Sequence, residues 1–162
     1  MVLILRNLFN YKKAAFSGIG FIAAIFIFGI ALFITMEYYH IFTVKESVET
    51  DISRALNISV TMAVQDMDWV QHNSVMDTEK AQREFKTYLT EDMKLNNDYE
   101  KYADDGSFQY QIIIDKSDIQ KSPEKYSIAG RIRMQPVTVR SILPKTFDIP
   151  FELSSNNIRT DD

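Results

Sequence analysis

Cysteine is absent from the 162 residues, which excludes a disulfide framework, a thiolate zinc site and a cysteine nucleophile. Histidine is scarce. His40 and His72 are far apart and have neither ligand nor catalytic spacing. No Gly-rich phosphate loop, nucleophile elbow or HExxH occurs, and no serine has a His or Asp partner at a recognisable interval. From these absences we expect no enzyme, no cofactor, no bound metal and no small-molecule substrate. Acidic residues are missing before Glu37, so all 22 lie at or beyond it. Three of the 18 basic residues, Arg6, Lys12 and Lys13, precede it, so the rest of the chain carries a net charge of about −7. Nucleic acid and anionic lipid headgroups both need a basic patch and are excluded as partners. Internal repeats and low-complexity tracts are missing too.

What the chain does have is an apolar run. Ala14 to Met36 reads AAFSGIGFIAAIFIFGIALFITM, without one charge. At 1.5 Å per residue it covers about 35 Å, slightly more than the hydrocarbon core of a bilayer. A helix satisfies its own backbone hydrogen bonds, which is what allows such a run to cross lipid. It is too long for the core helix of so small a chain. A signal peptide would have a shorter apolar region and a small-x-small cleavage site, whereas this run exits into Glu37-Tyr38-Tyr39-His40. The expectation is a retained anchor. With the early basic residues on the cytoplasmic side, the N-terminus is inside and the residues after Glu37 are outside. Tyr38 and Tyr39 fall where an interfacial aromatic belt belongs. Gly18, Gly20 and Gly29 inside the run read either as lipid-facing filler or as sites where another membrane helix packs closely.

Beyond the anchor, neither Pro nor Gly interrupts the chain from Glu37 to Gln71. Apolar residues recur at Ile41, Val44, Val48, Ile52, Ala55 and Leu56, then more loosely at Ala63, Met67 and Val70. This is a helical stripe, weakened in its second half by the β-branched Ile58, Val60 and Thr61. Asp77-Thr78-Glu79 is a helix start, and Ala81, Phe85, Tyr88, Leu89 and Met93 give a second helix over 78–94. Asn96 to Ser107 reads as a polar turn region. Phe108, Tyr110, Ile112 and Ile114 alternate as a strand, Lys116 to Lys125 reads as a loop, and Tyr126, Ile128, Gly130, Ile132 and Met134 alternate again. Val137 to Leu143 is either a short helix or a strand. Phe147, Ile149, Phe151 and Leu153 give a third strand, and Pro150 within it requires an edge or a bulge.

The expected fold class is α+β, with a transmembrane helix continuing into an outer helix packed on a small antiparallel sheet. The expected divisions are a cytoplasmic segment 1–13, a transmembrane helix 14–36, an outer domain 37–155 and a tail 156–162. The expected core includes Ile41, Val48, Ile52, Ala55, Phe85, Ile112, Ile132, Phe147 and Phe151. Trp69, Tyr99 and Tyr102 read as core residues or as exposed aromatics. Asp98, Glu100, Asp104 and Asp105 miss the spacing of a calcium loop, and the glycosylation sequon Asn57-Ile58-Ser59 is of a kind that arises often by chance.

A membrane helix running into a helix packed on a small antiparallel sheet is the architecture of type IV pilins and pseudopilins. Met36-Glu37-Tyr38-Tyr39-His40-Ile41-Phe42-Thr43-Val44, followed by Asp51-Ile52-Ser53-Arg54-Ala55, resembles the TadE-like and TadG-like minor pilins of tight-adherence pili. Their anchor is followed by a Glu, aromatic residues and a polar helix. The closing stretches Gly130 to Pro136 and Asp148 to Phe151 have the look of the same proteins. The resemblance implies a pilin-like subunit of the bacterial cytoplasmic membrane whose partners are the membrane and other pilin-like or assembly-platform subunits. The chain departs from the family at the prepilin site, since Ala14 to Phe21 carries no Glu. That departure points to a minor or accessory subunit, or an assembly-platform protein, rather than the repeating subunit. The rival expectations are a membrane-tethered ligand-binding domain and an accessory subunit of a transport complex.

Overall fold

The computed structural model describes residues 2–65, 75–121, 123–136 and 146–155, with side chains from Gly18 onward except Gln65 and Val75. It is an α+β layout. A long apolar N-terminal helix, α1 (Val2–Ala63), precedes a short ribbon of β1 (Val64–Gln65) and β2 (Val75–Met76), a helix α2 (Thr78–Thr87), and the strands β3 (Glu100–Tyr102), β4 (Phe108–Lys121), β5 (Glu124–Met134) and β6 (Phe147–Ser154). Two compact units result, Met1–His40 and Ile41–Asp162. The dividing line falls four residues later than the edge of the apolar run.

In the second unit, β3, β4, β5 and β6 form an antiparallel meander in that order. The α1 stripe supplies Val48, Ile52, Ala55, Leu56, Val60 and Ala63 to the core, and α2 supplies Ala81 and Phe85. The sheet answers with Tyr110, Ile112, Tyr126, Ile128, Ile132, Met134 and Phe151. Phe85 meets Tyr126 edge to face, with centroids 5.2 Å apart. Asp77 caps α2: its Oδ1 accepts from the Glu79 and Lys80 amides at 3.0 Å. A π-helical turn (Tyr88–Asp92) follows and keeps Leu89 on the buried side.

Several expectations need correction. The α1 helix ends at Ala63 rather than near Gln71, and Met67, Val70, Trp69 and His72 lie outside the described residues, as does Val137 to Leu143. The sheet has four strands rather than three, because the polar segment Glu100–Tyr102 pairs with β4. Residues 116–121 belong to β4 rather than to a loop. A β-bulge explains this: Ile114 faces Gly130 and Lys116 faces Ala129, leaving Asp115 unopposed. The extra residue shifts the alternation from Ile112 and Ile114 to Ile119, so the period of two breaks while the strand continues. Ile41 is half-buried against the core, and Phe147 is half-buried at the start of the edge strand; neither is in the buried set. The other seven expected core residues are buried.

Candidate functional site

The first unit carries an apolar surface. Ile19, Phe21, Ile25, Phe26, Ile27, Phe28 and Ile30 are each more than half exposed, and at 100° per residue they point in every direction around the helix. A helix apolar on all sides belongs in a large core or in lipid, and among the described residues its apolar side chains are exposed. It fits a single-pass membrane anchor. From Gly18 to Met36 it rises roughly 28 Å, close to the thickness of bilayer hydrocarbon.

A Cβ added at Gly18, Gly20 or Gly29 would touch nothing within 4 Å, so the chain's own fold does not require glycine there. The three do not form one packing face. Gly18 and Gly29 lie roughly 20° apart around the helix, and Gly20 lies on the opposite side. Gly20, Ala24, Ala31 and Thr35 share a second face, within roughly 60°. The Thr35 hydroxyl donates to the Ala31 carbonyl at 2.8 Å, so this face carries no unsatisfied polar group. Steps of 4, 7 and 4 through the sequence would have revealed it.

Glu37 is the other feature of this unit that the sequence left hidden. Tyr38 and Tyr39 are 71% and 69% exposed, but Glu37 is only 3% exposed and is not without a partner. The residue read as the first charge after the anchor is therefore a buried one. His40 is exposed.

In the second unit, the outer face of the sheet carries a chain of ion pairs across three strands. Arg131 holds Asp115 through two bonds of 3.0 Å and reaches Asp148 at 3.5 Å. Arg133 holds Asp148 at 2.8 and 3.0 Å. The Arg131 guanidinium keeps the Asp115 carboxyl below the usual range, and Arg133, aided by Arg131, does the same for Asp148. All four groups are partly exposed, and such pairs contribute little each. Their geometry is a structural tie, since both guanidinium forks are already occupied by carboxylates. On the inner face, burial, with a contribution from Asp51, pushes the Tyr110 phenol up to about 12.

The acidic stretch near residue 100 is committed to turns. Glu100 accepts from Asn96 Nδ2 at 3.0 Å and from the Tyr102 hydroxyl at 2.9 Å. Asp105 accepts from the Ser107 amide at 2.9 Å, and Gly106 has φ +79°. Among the described residues no three His, Cys, Asp or Glu side chains converge as metal ligands would. Tyr99 is half-buried against the core; Tyr102 is 46% exposed and packs edge to face with Phe108. The sequon lies inside α1, where Ser59 is buried and donates to the Leu56 carbonyl at 2.9 Å. The acceptor Asn57 is half-buried within the helix, not displayed on the surface loop that a glycosylation acceptor requires. Comparison with protein-family models, with curated proteins and with solved structures gives no match.

Proposed function

We propose that this chain is a minor-pilin-like structural or assembly subunit of a bacterial surface pilus or secretion apparatus. It is held in the cytoplasmic membrane by its N-terminal helix, with its α+β domain on the outer side. One observation carries the reading: α1 presents apolar side chains on every side from Gly18 to Met36, and from Val48 to Ala63 a single stripe packed on an antiparallel sheet. The exposed apolar side chains of the first part suit contact with lipid or with another helix. In lipid, apolar surface alone gives helices no drive to associate, so small residues that permit close approach supply it. The mechanism is lateral packing of anchors, with the outer domains brought alongside one another as a consequence. The orientation rests on Arg6, Lys12 and Lys13.

The test is in-membrane cross-linking of the chain to its neighbours in cells that express it. Gly29→Leu and Ala24→Leu block opposite faces of the anchor and leave it apolar enough to insert. We expect at least one to reduce cross-linking roughly tenfold, the scale of a lost close helix contact, with membrane insertion unchanged. The exposed Asp104→Ala should be silent. If both anchor changes are silent and Asp104→Ala abolishes function, a site in the outer domain replaces the assembly reading.

A further inference from the structure

We propose that Pro150, with its acidic flanks, holds the open edge of the sheet shut against a second copy of this chain. β6 is the last strand of the meander, and among the described residues nothing pairs with its far side. The direction of its amides follows from its end. The Ser155 amide donates to the Tyr126 carbonyl at 2.8 Å, and from there the register runs Leu153 to Ile128, Phe151 to Gly130 and Ile149 to Ile132. Antiparallel pairs alternate between bonded and non-bonded, so the odd-numbered residues of β6 bond to β5 and the even-numbered ones direct their amides outward. The opposite side of the sheet gives the same phase, since the Ile112 amide donates to the Tyr99 carbonyl at 3.0 Å. Pro150, opposite Arg131, therefore occupies an outward position. There its missing N–H costs the sheet no bond and breaks the row of donors that an incoming strand would use.

Charge adds a second barrier. Asp148, Pro150 and Glu152 share the outer face of β6. An antiparallel approach of two β6 edges centred on Pro150 sets Asp148 of one copy against Glu152 of the other, a like-charge pair directly across strands. The other sheet edge, β3, is only three residues long. This inference rests on the fold alone. It confines self-association to surfaces other than the β6 edge, whatever the assembly reading becomes.

The test uses the full chain in detergent micelles, followed by sedimentation over a range of concentrations. Pro150→Val restores the outward donor and should bring self-association at roughly tenfold lower concentration than the native chain, the effect of a few added edge hydrogen bonds. Adding Glu152→Lys should lower it further. Glu152→Lys alone keeps the proline and should stay as monomeric as the native chain. The new amide at position 150 should exchange quickly in the monomer and become protected on association. Pro150→Ala serves as the smaller substitution if valine disturbs folding. The proposal is overturned if both variants remain as monomeric as the native chain, if the amide at 150 is protected in the monomer, or if Glu152→Lys alone associates.

Discussion

Gly130→Ala should lower the melting temperature of the protein by roughly 5–15 °C, corresponding to about 1–3 kcal/mol of overpacking strain. Gly130 lies in the middle of β5, where a glycine ordinarily weakens a strand. It is needed because the bulge at Asp115 brings the neighbouring strand too close. A Cβ at this position would overlap the Ile113 carbonyl oxygen and approach the Ile113 carbonyl carbon and the Ile114 Cα to 3.1 Å. These are backbone atoms of a central strand and cannot swing aside as the end of a flexible side chain could. Relief would require undoing the bulge, which would turn the residues past it to the wrong face. Asp115→Ala removes the bonds to Arg131 but leaves the backbone in place, so it should cost no more than about 1 kcal/mol. Near-UV circular dichroism of both variants on heating separates the two contributions. A silent Gly130→Ala would mean that the bulge is not fixed in solution.

The second large effect belongs to Ile52. Its side chain is fully buried between α1 and the sheet, so Ile52→Ala should cost about 2–5 kcal/mol through lost transfer energy and the cavity left behind. Phe147 is larger and was expected from its alternation to belong to the same core. It is half-buried, so Phe147→Ala should cost about 1 kcal/mol. Denaturant unfolding of the two variants should give midpoints well apart. Equal losses would mean that the start of β6 is covered more fully than the fold indicates.

The difference between these two residues shows what the sequence made legible. The α1 stripe was readable because each stripe residue faces one continuous surface, so spacing alone identifies the buried set through Ile52, Ala55 and Leu56. Along β6 the alternation correctly separates Phe147, Ile149, Phe151 and Leu153 from Asp148 and Glu152. Depth on the inner face, however, depends on where the helices end above the sheet, and no local pattern records that. The alternation that defines β4 in the sequence stops at Ile114 because the extra residue Asp115 exchanges the faces. Its signal was present in Gly130, a glycine inside a strand, but its meaning lay in the backbone of the neighbouring strand. β3 leaves no alternation in the sequence because Glu100–Tyr102 is short and polar, and beside it the Asn96 side chain accepts from the Asp98 and Glu100 amides at 2.9 Å. In the anchor, composition made the apolar run obvious. The face shared by Gly20, Ala24, Ala31 and Thr35 emerges only when residues are placed around the helix, and no local pattern records the burial of Glu37.

In the proposed arrangement the Gly18–Met36 segment of α1 lies in lipid and separates the N-terminus from the α+β domain. The absence of native cysteine makes single-cysteine labelling free of background. Asn10→Cys, Ile27→Cys and Lys125→Cys, each in the full chain, are exposed to a membrane-impermeant maleimide on spheroplasts and again after lysis. Lys125→Cys should label on intact spheroplasts, Asn10→Cys only after lysis, and Ile27→Cys in neither. Labelling of Ile27→Cys in intact membranes, or of Asn10→Cys and Lys125→Cys from the same side, would contradict the arrangement.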